Sequence, residues 1–298
     1  MTATPTFSQR IHQYLSLIKF SHTVFALPFA LVGFCLGWRD MQGVWQWDIF
    51  IKMLLCMVFA RSAAMAFNRW LDRHFDALNP RTAVREIPAG IIQPNNALAF
   101  TIICCALFVA TTFFINRTVF YLSPIALFVI LFYSYTKRFT ALCHLVLGAG
   151  LALAPIGAYL TLTEQFNWLP VIFSCIVFTW VSGFDIIYAL QDRDFDKSHR
   201  LHSIPAALGL KGALNVSNLL HIITSLLVVA AGLYGHFNWL YWIGAAVFVS
   251  LLMYQHFLVK PTDLSRVNMA FATTNGIASI SFSILIIISI LLSHNGIL

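Results

Sequence analysis

The sequence predicts an all-α membrane protein: nine transmembrane helices, in two four-helix bundles plus one, around a central cavity. Three observations predict it. Hydrophobic residues fill 59% of the 298 positions and charged residues only 10%, against about 25% charged in an ordinary soluble domain. Apolar runs recur along the whole chain at the length of roughly 20 residues that a helix needs to cross a bilayer. Positive charge collects in alternate loops, as it does in multi-spanning proteins.

The predicted spans are 21–38, 48–68, 96–115, 118–135, 140–161, 168–190, 212–234, 238–257 and 268–293. The first follows Lys19 but lacks the small-residue cleavage pattern of a secretory signal at Gly33–Trp38. The second ends on Asn68, where acidic residues begin. The first, fourth and fifth contain Pro28, Pro124 and Pro155, and Pro88 and Pro205 fall in the loops before the third and seventh, positions where proline kinks or ends a helix. The last is apolar on all sides over Ile284–Leu292, whereas a soluble core helix keeps a polar stripe. Nine spans use most of the chain, so residues 1–298 form a single transmembrane domain. With no soluble basic module, nucleic-acid binding is excluded. The six cysteines lie inside apolar spans without metal-site or disulfide-framework spacing and read as packing residues.

The net charge of +7 is informative through its placement. Arg10 and Lys19 precede span one; Arg69, Arg73, Arg81 and Arg85 follow span two; Lys137 and Arg138 follow span four. Arg193, Lys197, Arg200 and Lys211 follow span six, and Lys260 and Arg266 follow span eight. The opposite loops hold Arg39 and Arg117. This asymmetry places the N-terminus and the even-to-odd loops in the cytoplasm and the C-terminus on the other side. For most of these residues topology is a sufficient reading.

Acidic residues are costly beside a membrane, so their location is informative. Of eleven, seven fall in two windows: Asp72, Asp76 and Glu86, then Asp185, Asp192, Asp194 and Asp196. Asn68, Asp72 and Asp76 are spaced i, i+4, i+8, which puts three oxygen-bearing side chains along one helix face. Asp192 and Asp196 repeat the i, i+4 spacing, and Asp185 lies nearly two turns earlier. Both windows sit at the cytoplasmic ends of even-numbered spans. Two facing carboxylate clusters suit Mg²⁺, which takes hard oxygen ligands, keeps waters and is commonly shared between a few carboxylates and substrate phosphates. The alternative is that each acidic helix end pairs with nearby arginines.

Asp72-Arg-His-Phe-Asp76 echoes Asp192-Arg-Asp-Phe-Asp196, 120 residues later. Each is followed by a basic loop and then by Ile87-Pro-Ala-Gly90 or Ile204-Pro-Ala-Ala-Leu-Gly209. Four helices separate the copies, so the repeat is parallel, with halves at about 15–138 and 139–260. Secondary transporters are commonly built from inverted repeats with their sites at the midplane. A parallel repeat with acids at one face argues against a cation-coupled transporter, the competing class.

In these residues the sequence resembles the UbiA superfamily of intramembrane prenyltransferases. That family carries N-x-x-x-D-x-x-x-D in its first half and D-x-x-x-D in its second, here Asn68/Asp72/Asp76 and Asp192/Asp196. Asn79–Gly90 resembles the loop after the first motif. Tyr188-Ala-Leu-Gln-Asp192-Arg-Asp-Phe-Asp196 and Tyr133-Ser-Tyr-Thr-Lys137-Arg138 are similar to the 4-hydroxybenzoate polyprenyltransferase branch. Two departures stand out. Arg69 replaces the Asp that often follows the motif Asn. The opening Lys19-Phe-Ser-His-Thr-Val-Phe-Ala-Leu-Pro28 looks closer to a subgroup assigned to futalosine-pathway menaquinone synthesis, whose acceptor is a dihydroxynaphthoate.

The resemblance implies Mg²⁺-dependent transfer of a polyprenyl group from its diphosphate to an aromatic hydroxy acid in quinone biosynthesis, in a bacterial inner membrane. It implies metal ligation by Asn68, Asp72, Asp76, Asp192 and Asp196. Lys137 or Arg138 would offset charge on the departing diphosphate, with Tyr133 beside them. Asp185 is expected to orient the phenol or collect the ring proton, or else to pair with Tyr188 or a buried arginine. Arg61, seven residues before Asn68 on its face, is expected to meet the acceptor carboxylate or Asp185. Arg81 and Tyr188 are further substrate-binding candidates. Lys19 is an anion-site candidate that could equally snorkel to the interface.

Overall fold

The computed structural model describes residues 6–18 and 25–294, so Lys19 lies outside the described residues. Among them the chain forms eleven α-helices: α1 (Phe7–Leu17), α2 (Leu27–Asp40), α3 (Trp47–Leu78), α4 (Pro94–Phe113), α5 (Arg117–Thr136), α6 (Cys143–Thr163), α7 (Trp168–Ala189), α8 (Arg193–Ser198), α9 (Ile204–Tyr234), α10 (Trp239–Leu258) and α11 (Asn275–His294). The only extended pairing among them is one bridge between Lys260 and Asp263. Eight helical segments are long and apolar enough to cross a bilayer. α2 is 14 residues long, short of the length of a full crossing.

Side chains are sorted as lipid demands. Large apolar residues such as Phe257, Tyr121 and Phe128 face outward, while Ser182, Ser217, Thr224, Gln255 and Asn275 are buried. With no water in the hydrocarbon, polar groups must find partners inside. Trp180 and Gln255 accordingly both donate to Asn275 Oδ1, at 2.8 and 2.7 Å. Trp47, Trp168 and Trp239 are each the first residue of a helix and each exposed. They share one end of the bundle, where tryptophan favours a membrane interface. All six cysteines are free.

The two halves interlock. α2 packs mainly on α6 and also on α11; α3, α4 and α5 pack on one another; α5 joins α6, α6 joins α7, and α7 joins α9. The α2–α6 crossing is set by Gly33, whose missing Cβ would lie 2.0 Å from the Pro155 carbonyl oxygen. Small residues allow such backbone approach between membrane helices. Pro124 and Pro155 lie inside α5 and α6, and Pro28 and Pro205 sit in the first turns of α2 and α9, where proline lacks no needed donor.

Some boundaries differ from the sequence reading. α3 runs ten residues beyond its apolar span and carries the whole first acidic motif out to Asp76. α9 begins at Ile204, eight residues before the predicted span, capped by Ser203 Oγ and broken at Gly209, whose φ is +71°. Gly90 closes the first copy of the repeat at φ +72°. A Cβ would meet nothing within 4 Å at either glycine, so both are required by backbone conformation alone. α7 does not pass straight through the second motif: one 3₁₀ turn, Leu190–Asp192, joins it to α8.

Candidate active site

The acidic windows meet. Asn79, the C-cap of α3, donates to Asp192 Oδ1 at 3.2 Å. Arg81, two residues on, forks onto the same carboxylate with Nε at 3.1 Å from Oδ1 and Nη2 at 2.5 Å from Oδ2, while its Nη1 reaches Tyr188 Oη at 2.9 Å. The loop after the first motif thus grips the second. The reverse link comes from the end of α5, where Lys137 Nζ lies 2.7 Å from Asp196 Oδ1.

Every aspartate of the two motifs has a basic partner. Arg138 bonds Asp72 at 2.9 Å and is anchored by the Ser134 and Leu71 carbonyls. Arg85 bonds Asp76 at 2.6 Å. Arg81, Arg85, Lys137 and Arg138 are therefore more than topology signals. Burial by itself weakens the hold of Arg81 and Lys137 on their protons, but the hydrogen bonds and charge of Asp192 and Asp196 outweigh it. Both pKa values sit above their ordinary positions.

The donor set fits a hard cation. Asn68 spends its amide nitrogen on Asp72 Oδ2 at 3.0 Å and Ser134 Oγ at 3.4 Å, which leaves its oxygen as the atom available to a cation. Asp76 Oδ2 is buried and accepts no hydrogen bond, a costly state for a carboxylate oxygen unless a cation completes it. Among the described residues no three His, Cys, Asp or Glu side chains converge into a ready-made cage. That suits an ion that keeps waters and takes part of its shell from a phosphate.

From this charged end a cavity of about 950 Å³ runs into the bundle. Asp72, Asp192 and Arg81 line its mouth, and Ile115, Val119 and Phe166 line it near the far ends of α4, α5 and α6. Arg61, Asn68, Tyr133, Asp185 and Tyr188 all line it as well. A π-helical turn at Met269–Thr274 brings Phe271 onto Tyr188 with ring centroids 4.2 Å apart.

The residue facing Asp185 is His144, whose Nδ1 lies 2.7 Å from Asp185 Oδ2. Tyr188 bonds Arg81 instead, so the pairings expected for Asp185 with Tyr188 or an arginine are replaced by a histidine. The sequence reading passed over His144 although an ionisable residue in an apolar span is itself a signal. Asn79, Arg85 and Phe271 were missed because their roles depend on which elements meet.

The pattern of the UbiA prenyltransferase family matches residues 26–283. The chain belongs to that family. Two curated relatives are both named 4-hydroxybenzoate octaprenyltransferase. The one from Aliivibrio fischeri (strain MJ11) is 29% identical over 247 residues, 81% of this chain and 84% of its own. The one from Francisella tularensis subsp. tularensis (strain FSC 198) is 28% identical over 231 residues, 78% and 81% of the two chains. A solved apo UbiA homologue from Aeropyrum pernix K1 is 30% identical, with TM-score 0.77 over 91% of this chain and 98% of its own. A UbiA homologue from Archaeoglobus fulgidus bound to DMAPP and Mg²⁺ shares the fold, with TM-score 0.68, 22% identity, and 90% and 99% of the two chains covered. This UbiA family member is thus a membrane-embedded prenyltransferase.

Proposed function

We propose that the chain transfers a polyprenyl group from polyprenyl diphosphate to an aromatic hydroxy acid of the 4-hydroxybenzoate type, with Mg²⁺ as cofactor. The observation that carries this reading is the cavity's division into a mouth of paired carboxylates and cations and a long apolar interior. A prenyl diphosphate has the same two parts. The shared fold with a homologue that binds DMAPP and Mg²⁺ and the names of the curated relatives support it.

Asn68, Asp72, Asp76 and Asp192, which line the cavity, would hold the ion; Asp196, expected as a further ligand, is fully buried behind them and tied to Lys137 and Ser203. When bound, Mg²⁺ supplies Lewis-acid neutralisation of the diphosphate. Arg81, Lys137 and Arg138 orient the carboxylates and add positive charge where the leaving group gathers its electrons, a form of preorganised stabilisation. Tyr133 and Tyr188 line the passage to the apolar interior, which keeps water from the allylic carbon. Arg61 meets the acceptor carboxylate, and Asp185 takes the proton of the attacked ring carbon. In the bilayer the segment that contains α2 makes a ninth crossing, and the charged mouth faces the cytoplasm of a bacterial inner membrane.

The test uses membranes containing the full chain, Mg²⁺, geranyl diphosphate and either 4-hydroxybenzoate or a dihydroxynaphthoate, with the product identified by mass. A prenylated 4-hydroxybenzoate is expected, and loss of turnover in Asp72→Ala and in Asp192→Ala. A prenylated naphthoate alone would move the acceptor to the menaquinone branch, the reading favoured by the segment from Lys19 to Pro28. Full activity in either variant would refute the metal role of that cluster.

A further inference from the structure

His144 and Asp185 form a dyad in the cavity wall, below the charged mouth. His144 is the second residue of α6 and is buried; Asp185 lies near the end of α7 and lines the cavity. The backbone N–H of Ile204, at the start of α9, points to His144 Nε2 at 3.4 Å. A neutral imidazole with one nitrogen accepting carries its proton on the other. Nδ1 therefore donates to Asp185 Oδ2 at 2.7 Å. Asp185 makes no other hydrogen bond among the described residues, which leaves Oδ1 for the cavity.

The pair is held rigidly. One turn beyond His144, Gly148 brings the α6 backbone against α7, where a Cβ would lie 2.2 Å from Ser182 Oγ and 2.6 Å from the Phe178 carbonyl oxygen. The same α9 N-terminus that reaches His144 through Ile204 reaches Asp196 through Ser203 Oγ at 2.8 Å. The depth fits the chemistry. Seven residues separate Asp185 from Asp192, roughly 10 Å along a helix. With the diphosphate at the mouth, the allylic carbon and a ring within about 3.5 Å of it fall at that level.

We infer that His144 is the positioning residue that fixes Asp185 as acceptor of the ring proton; this rests on the proposed aromatic prenyl transfer. The allylic C–O bond breaks with both electrons leaving on the diphosphate, and a ring carbon forms the new C–C bond. The ring C–H pair then restores aromaticity as its proton passes to Asp185 Oδ1. His144 keeps its own proton throughout and holds the carboxylate by a charge-assisted hydrogen bond.

The experiment compares wild type, Asp185→Asn, His144→Leu and His144→Asn in membranes, with geranyl diphosphate and whichever of the two aromatic acids wild type prenylates. The acid is used with hydrogen or deuterium at the attacked carbon. Asp185→Asn should lose about 10²–10⁴-fold in kcat, the usual range for a general base. His144→Leu should lose about 10–100-fold in kcat, the range for a hydrogen bond to a charged group, with little change in either KM. A primary isotope effect absent from wild type should then appear. His144→Asn places an amide N–H near the position of Nδ1 and should restore most of the rate and abolish the isotope effect. Wild-type kcat in His144→Leu would overturn the inference while leaving the transfer reaction standing. Equal losses in Leu and Asn without an isotope effect would make His144 merely structural and also overturn it. If the Leu variant fails to assemble, a slow His144→Asn with no isotope effect has the same consequence. A wild type that prenylates neither acid overturns both readings.

Discussion

Replacing Lys137 by methionine tests whether the ion pairs at the mouth hold the two halves together. Lys137 Nζ is 2.7 Å from Asp196 Oδ1; the lysine side chain is 33% exposed and that of Asp196 is 0% exposed. The remaining polar partner of the carboxylate is Ser203 Oγ. Breaking a fully buried pair costs about 3–5 kcal/mol because a charge is stranded, whereas an exposed pair is worth about 0–1 kcal/mol. One buried and one partly exposed partner places Lys137→Met between them, at about 2–3 kcal/mol. At about 2–4 °C per kcal/mol, Tm should fall by roughly 5–10 °C, measured by tryptophan fluorescence on detergent-solubilised protein. Adding Asp196→Asn removes the stranded charge and should recover most of the loss, although both variants are expected to be inactive. The pH dependence has a definite sign. The Lys137 pKa is raised in the fold, so the pair's contribution is whole below the unfolded value of about 10.4 and is lost only as pH rises through the folded one. Between pH 6 and 9 the difference between wild type and Lys137→Met should stay flat. An unchanged Tm, or a double variant less stable than the single one, would refute this account of the pair.

Gly33→Ala should be severe, because all three atoms nearest the new Cβ, at 2.0, 2.7 and 2.9 Å, belong to the Pro155 backbone and no rotamer can relieve the contact. Overpacking costs about 1–3 kcal/mol or more, and a loss of folded yield or Tm in detergent checks it. Gly209→Ala meets no neighbour but must hold φ +71° with ψ 178°, a region essentially reserved for glycine, at about 1–3 kcal/mol. A milder Tm loss, with turnover retained on folding, is expected there.

The all-α membrane class and the acidic motifs were legible in the sequence because each depends on local order. A run of apolar residues must cross a bilayer or be hidden from water, and i, i+4 spacing on a helix aligns side chains whatever surrounds them. The repeat showed itself in the same way, down to glycines at Gly90 and Gly209 that both adopt positive φ. What pairs with what could not be read, since a salt bridge or dyad is a property of two segments and the sequence orders only one. Arg81 and Lys137 were expected at the substrate, but the aspartate that each one grips, more than fifty residues away, was fixed only by folding. His144 looked like one polar residue in a greasy helix until the backbone contact at Gly148 set α6 against α7 and brought Asp185 within 2.7 Å. Composition assigned the chain to the membrane; helix packing decided which charges confront one another, because distances between remote segments are fixed only when their surfaces interlock.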